Sequence, residues 1–125
     1  MAQGGLGELA EGGRLVCRSD VLQERGAGFK FDVSWHGETV PAFVVRYNGK
    51  AHAYLNRCAH VPVPLDWDGE RFFDHSRLYL LCATHGALYA PDSGHCLGGR
   101  CNGRHLTALD VVERDGAIYL ISRHA

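Results

Sequence analysis

Phe29, Phe31, Val33 and Trp35 alternate with Lys30, Asp32 and Ser34, the period of two that turns one face of a strand to a core and the other to water. Further short apolar, β-branched and aromatic runs, bounded by turn residues, lie at Leu15–Arg18, Gly28–Trp35, Ala42–Tyr47, Ala51–Asn56, Leu78–Cys82, Leu109–Glu113 and Ala117–Ser122. Many short strands at this spacing predict an all-β fold, a small antiparallel sandwich or barrel. Asn48-Gly49 sits between VVRY and KAHAYL, and Asp115-Gly116 between VVER and AIYLI. Both pairs suit tight turns that need positive φ, so each predicts a hairpin. Helix signals are confined to Asp20–Arg25, with Asp20 as a cap and Gly26 as a stop. Residues 1–13 hold five Gly and no periodic apolar pattern, which predicts a flexible leader ahead of a single domain over residues 14–125.

Composition changes the picture mainly by exclusion. With 125 residues, 46% hydrophobic and 22% charged, the chain can fill one core, and disordered or rod-like classes are excluded. The net charge is -1 and Lys and Arg form no block. The chain therefore lacks the field that draws nucleic acid or an anionic membrane. No apolar run approaches the roughly 18 residues of a membrane span, and the first residues do not read as an export signal, so a cytoplasmic location is expected. Against this background stand eight His and five Cys. An odd number of cysteines in a reducing compartment points to metal before it points to a disulfide framework.

Two strand-connecting loops concentrate these donors. Asn56-Arg57-Cys58-Ala59-His60-Val61-Pro62-Val63-Pro64 supplies Cys58 and His60, and Cys82-Ala83-Thr84-His85-Gly86-Ala87-Leu88-Tyr89 supplies Cys82 and His85. Two thiolates and two imidazoles are the donor set either of a tetrahedral zinc or of an iron–sulfur centre with mixed ligation. Zinc sites of this composition usually group Cys with Cys and His with His. The alternating order here suits a binuclear centre in which each loop gives one residue to each metal. Gly86 would allow close backbone approach, and Pro62 and Pro64 would stiffen the first loop.

CAH and CATHG resemble the two boxes, C-x-H and C-x-x-H-G, of Rieske [2Fe–2S] proteins. NGKAHAYLNRCAH is similar to the strand entering the first box, HGALYAPDSGHCLGG to the second box and its outgoing turn, and LTALDVVERDGAIYLI to the closing hairpin of Rieske-type ferredoxins. The resemblance covers most of residues 28–122. It implies an antiparallel β sandwich of stacked sheets carrying a small cluster-binding subdomain, with binding loops at about residues 56–64 and 82–91. It also implies that Cys58 and Cys82 bind one iron of a [2Fe–2S] cluster and His60 and His85 the other, with Pro62, Gly86, Ala87 and Tyr89 around them. Twenty-one residues separate His60 from Cys82, long for these ferredoxins, and the excess falls in DWDGERFFDHSR, where a surface hairpin or loop is expected. Val63 and Thr84 occupy the positions at which respiratory members carry an extra disulfide, so that bridge is expected to be absent. Ala87 stands where those members use a Ser hydroxyl beside a Tyr, here Tyr89. With one donor fewer, the resemblance implies a potential in the lower part of the Rieske range of about −150 to +300 mV.

The remaining donors have plainer readings. Cys17 reads as a small buried hydrophobe. Cys96 and Cys101 in GHCLGGRC read as packed thiols, the alternatives being a conditional disulfide or an extra metal site with His95. His36, His52, His75, His105 and His124 share no spacing. Trp67 with Asp66, Asp68 and Glu70 reads as a solvated hairpin. No nucleophile elbow accompanies any Ser or Cys. What the resemblance implies for function is a one-electron carrier that meets a reductase and a terminal oxidoreductase, such as an oxygenase, in transient encounters and does no substrate chemistry itself. Alternatives are a small Rieske-like subunit of a nitrite reductase or other oxidoreductase complex, and a zinc-stabilised or redox-sensing binding module.

Overall fold

The computed structural model describes residues 14–57, 65, 71–82, 86–99 and 103–121. The period-two stretch forms β2 (Phe29–Trp35), preceded by β1 (Arg14–Arg18). In β2, Lys30, Asp32 and Ser34 are exposed, whereas Phe29, Phe31, Val33 and Trp35 are buried or half-buried. β3 (Glu38–Tyr47) and β4 (Lys50–Leu55) follow, then the short β5 (Leu80–Cys82), β6 (Ala87–Tyr89) and β7 (Cys96–Gly98), and finally β8 (Ala108–Leu109), β9 (Val111–Arg114) and β10 (Ala117–Leu120). All strand pairs are antiparallel. Among the described residues they form three sheets, in the orders β1-β10-β9, β2-β3-β4-β8 and β5-β6-β7.

Both expected hairpins are present. Asn48 and Gly49 have φ of 54° and 79°, and Asp115 and Gly116 of 51° and 75°, the paired left-handed geometry whose twist matches that of the flanking strands. A third hairpin at His36-Gly37, with φ of 50° and 81°, joins β2 to β3, which starts four residues before the expected strand at Ala42. Pro41 hid this extension, because proline is poorly suited to a central strand. Its carbonyl accepts the Asn56 N–H at 2.8 Å, just past the end of β4. The proline nitrogen shares that side of β3, so no ladder bond to β2 is lost.

The expected helix at Asp20–Arg25 does not form. Only Ser19–Val21 makes a 3₁₀ turn, and the Asp20 carboxylate binds Arg18 instead of capping it. Long-range bonds win over the local signals. Glu24 accepts the backbone N–H groups of Asn48 and Gly49 at 2.6 and 2.8 Å, and Arg25 N–H donates to Arg46 O at 2.8 Å.

β3 is the centre of the packing. Alternate residues of one strand serve opposite faces, and here both faces are covered. Phe43 and Val45 join Tyr54, Leu65, Phe72, Leu80, Cys82, Ala87 and Tyr89 in one core, while Ala42 and Val44 join Val33, Leu55, Leu109, Ile118 and Leu120 in the other. The result is the expected sandwich, a middle sheet between two smaller ones, with β5-β6-β7 as the small subdomain. The long insertion belongs to the core as much as to the surface. Phe73 bridges Leu80, Leu81 N–H donates to Phe72 O at 2.8 Å, and the ring of Phe72, fully buried, stacks on Phe43 with centroids 4.0 Å apart. Trp67 and its acidic neighbours lie outside the described residues.

Candidate metal centre

Two loop bases, one at the end of β4 and one at the end of β5, are fixed by short hydrogen bonds. Beyond Leu55, Asn56 is the one buried polar side chain among the described residues, at 3% exposure. Its Oδ1 accepts the Leu65 N–H at 2.8 Å, and Leu65 is itself fully buried. That bond closes the neck of the first loop; Cys58, His60, Pro62 and Val63 lie outside the described residues. At the second base, Gly86 N–H donates to Cys82 O at 2.8 Å. Gly86 has φ of 73°, and a Cβ there would meet nothing within 4 Å. Its requirement for glycine is therefore conformational, with no crowding from the described residues. His85 and Thr84 lie outside the described residues.

Among the expected site residues, the structure brings together Cys82, Gly86, Ala87 and Tyr89. Cys82 is fully buried at the end of β5, and it faces Ala87 across the β5–β6 pair. Ala87 and Tyr89 are also fully buried, with Tyr89 between Leu80 and Cys96. Gly99 joins this group and was not singled out in the sequence. A Cβ on it would lie 2.9 Å from Ala87 Cα and 3.3 Å from Gly86 O, and its φ is 92°. The GG pair at 98–99 was the available signal. Backbone thus packs on backbone behind the Cys82 turn, where a side chain would push the turn outward.

The chemistry of the donors fits a soft-ligand metal cluster. A buried thiol at the mouth of a tight turn is a structural cysteine unless it has a metal to bind, and the CATHG turn supplies a His three residues later. Among the described residues no group of three or more His, Cys, Asp or Glu offers a competing centre. Cys17 is a buried thiol whose pKa is pushed up by burial, as expected of a packing residue. Cys96 differs from expectation, because it is disulfide-bonded and not a free thiol, and its partner lies outside the described residues. Of the other histidines, His52 is half-buried, with its pKa lowered mainly by burial. His95 and His105 face each other across an isolated antiparallel bridge, a pairing that no shared spacing announced.

The Rieske [2Fe–2S] domain model matches residues 7–114. The chain belongs to this family. Its fold is similar to that of the ferredoxin of carbazole 1,9a-dioxygenase from Nocardioides aromaticivorans IC177, at 25% identity and a TM-score of 0.67, covering 87% of this chain and 96% of that one. It also resembles the terminal oxygenase of carbazole 1,9a-dioxygenase from Novosphingobium sp. KA1, at 23% identity and a TM-score of 0.62, covering 83% of this chain but 28% of that one. A third likeness is to a chain of the complex of reduced oxygenase and oxidized ferredoxin in carbazole 1,9a-dioxygenase, at 21% identity and a TM-score of 0.64, covering 85% of this chain and 98% of that one. No curated protein matches the sequence. This Rieske domain carries a [2Fe–2S] cluster and serves one-electron transfer. None of its helices, among the described residues, is long and apolar enough to cross a membrane.

Proposed function

We propose that this Rieske domain is a ferredoxin that takes one electron from a reductase and passes it to a terminal oxygenase or a similar oxidoreductase in the cytoplasm. In this reading Cys58 and Cys82 hold one iron, and His60 and His85 hold the other. The observation that carries the reading is the fold shared with a dioxygenase ferredoxin, at 25% identity and a TM-score of 0.67.

The bound cluster would supply a site that gains and loses a single electron. The chain's own residues prepare the place. Asn56 holds the neck of the first loop closed by accepting the Leu65 N–H. The positive φ of Gly86 turns the chain back immediately after the second box. The packing of Gly99 on Ala87 keeps that turn seated. Buried Cys82, Ala87 and Tyr89 exclude water from the inner side, which favours an electrostatically sensitive redox site whose potential is set by nearby hydrogen-bond donors. Encounters with redox partners should be weak and short-lived, as small electron-transfer interfaces are.

The test combines iron and acid-labile sulfide assays on anaerobically prepared protein with EPR of its reduced form. Two iron and two sulfide per chain and a signal with average g below 2 are expected, together with electron delivery to a purified dioxygenase terminal component. A colourless protein holding stoichiometric zinc would overturn the reading. His60→Cys and His85→Cys should each abolish the signal while leaving the far-UV CD of the β framework intact. A native spectrum after either change removes that residue from the ligand set.

A further inference from the structure

His95 and His105 are ten residues apart and outside both cluster loops, yet they form an isolated antiparallel bridge. The bonds on either side of it define its type. Leu106 N–H donates to Gly94 O at 2.8 Å, and Cys96 N–H donates to Arg104 O at 2.9 Å. The two histidines are therefore a non-hydrogen-bonded pair, the position at which facing side chains on one side of an antiparallel pair come closest. Their rings lie with centroids 5.9 Å apart and an interplanar angle of 71°, and both residues are exposed. Cys96, the next residue, points the opposite way, packing against the core and engaged in its disulfide. It cannot share a site with His95, as alternation along a strand requires.

One ring nitrogen of His105 is also engaged. Its Nδ1 lies 2.9 Å from Leu106 O, and because a carbonyl only accepts, Nδ1 is the donor of this bond and Nε2 is the nitrogen left to face a metal. A backbone carbonyl holding one ring nitrogen so that the other is free is the usual support of a metal-binding histidine. The spacing agrees. With a metal–nitrogen distance of about 2.0–2.1 Å, two imidazoles on one tetrahedral ion place their ring centres about 5 Å apart, and a small side-chain rotation closes the remaining gap.

We propose that His95 and His105 form a further metal site, distinct from the cluster, that binds one late first-row divalent ion such as Zn²⁺ through two imidazoles, with water completing the coordination. Imidazole pairs select this class of ion over Mg²⁺ and Ca²⁺, which prefer oxygen donors. An ion held there clamps the segment at residues 103–107 to the strand that leaves the second cluster loop.

Isothermal titration of Zn²⁺ into cluster-loaded protein tests this, with visible absorption recorded throughout to show that the cluster stays in place. One Zn²⁺ per chain is expected. His95→Ala and His105→Ala should each weaken its binding at least tenfold, while His36→Ala, a change to an exposed histidine on another hairpin, should leave the isotherm unaltered. Absence of Zn²⁺ uptake by the intact protein would overturn the proposal, as would equal affinity in all four proteins. Mg²⁺ titrated in the same way should give no binding, and uptake matching that of Zn²⁺ would equally overturn it.

Discussion

Ala87 carries only a methyl group directly across the β5–β6 pair from Cys82, so nothing on its side chain can donate to a sulfur. A Ser hydroxyl at that position would stabilise the more negative reduced state by roughly the worth of one hydrogen bond, about 0.5–1.5 kcal/mol. For one electron this corresponds to a rise of about 20–60 mV. Ala87→Ser should therefore raise the midpoint measured by voltammetry, and an unchanged midpoint would dissociate this position from the cluster. Asn56 acts on binding instead of potential. Asn56→Leu keeps the volume but leaves Leu65 N–H buried and unpaired, which should cost about 1–3 kcal/mol and lower iron per chain in the purified protein. The Cys and His pattern was readable because the chemistry demands those donors at close sequence spacing. Asn56 and Gly99 were not, since what each does depends on a residue nine or more positions away, Leu65 for one and the Gly86-Ala87 backbone for the other.

The elements that announced themselves were those with local causes. The Asn-Gly and Asp-Gly turns and the alternation in β2 need no distant partner. β5 fell within the expected run at Leu78–Cys82, whereas β6 and β7, with three residues each, are too short for a periodic pattern, and only the flanking CATHG and GHCLGG motifs marked them. The failed helix and the buried insertion show the same limit from the other side, because Glu24 and Phe72 obey partners more than 20 residues away. Gly28 ties the insertion to the middle sheet. A Cβ there would stand 2.7 Å from Phe72 Cδ2 and 3.1 Å from Val44 O. Gly28→Ala should push Phe72 off its stack with Phe43 and destabilise the fold by about 1–3 kcal/mol, as overpacking does. A chemical denaturation midpoint equal to that of the parent would refute that account.

At the scale of the whole molecule, Arg46 joins the segments that would otherwise separate. Its guanidinium donates to Leu22 O, Ser19 O and Gly49 O and grips Glu113 of β9 at 3.0 and 2.8 Å. The Arg46 hydrogen bond, first among several causes, holds the Glu113 carboxyl below its ordinary value of 4.5. A depressed folded pKa contributes stability that is present above the unfolded value and lost as pH falls through the folded one. Thermal stability should therefore decline below about pH 4.5, and Glu113→Gln should flatten that decline. Arg46→Met, which also removes the donor to the part-buried Leu22 and Ser19 carbonyls, should cost about 1–3 kcal/mol at neutral pH. The layered arrangement itself was only partly legible: strands could be counted, but which sheet each joined depended on pairings such as β1 with β10 across the length of the chain. Because one ten-residue strand supplies side chains to both cores, neither layer can open while the other stays closed without stripping that strand on one face. Its amides should consequently be the slowest to exchange with deuterium, and the cluster pocket should be lost only in the same cooperative event that unfolds the opposite side of the molecule.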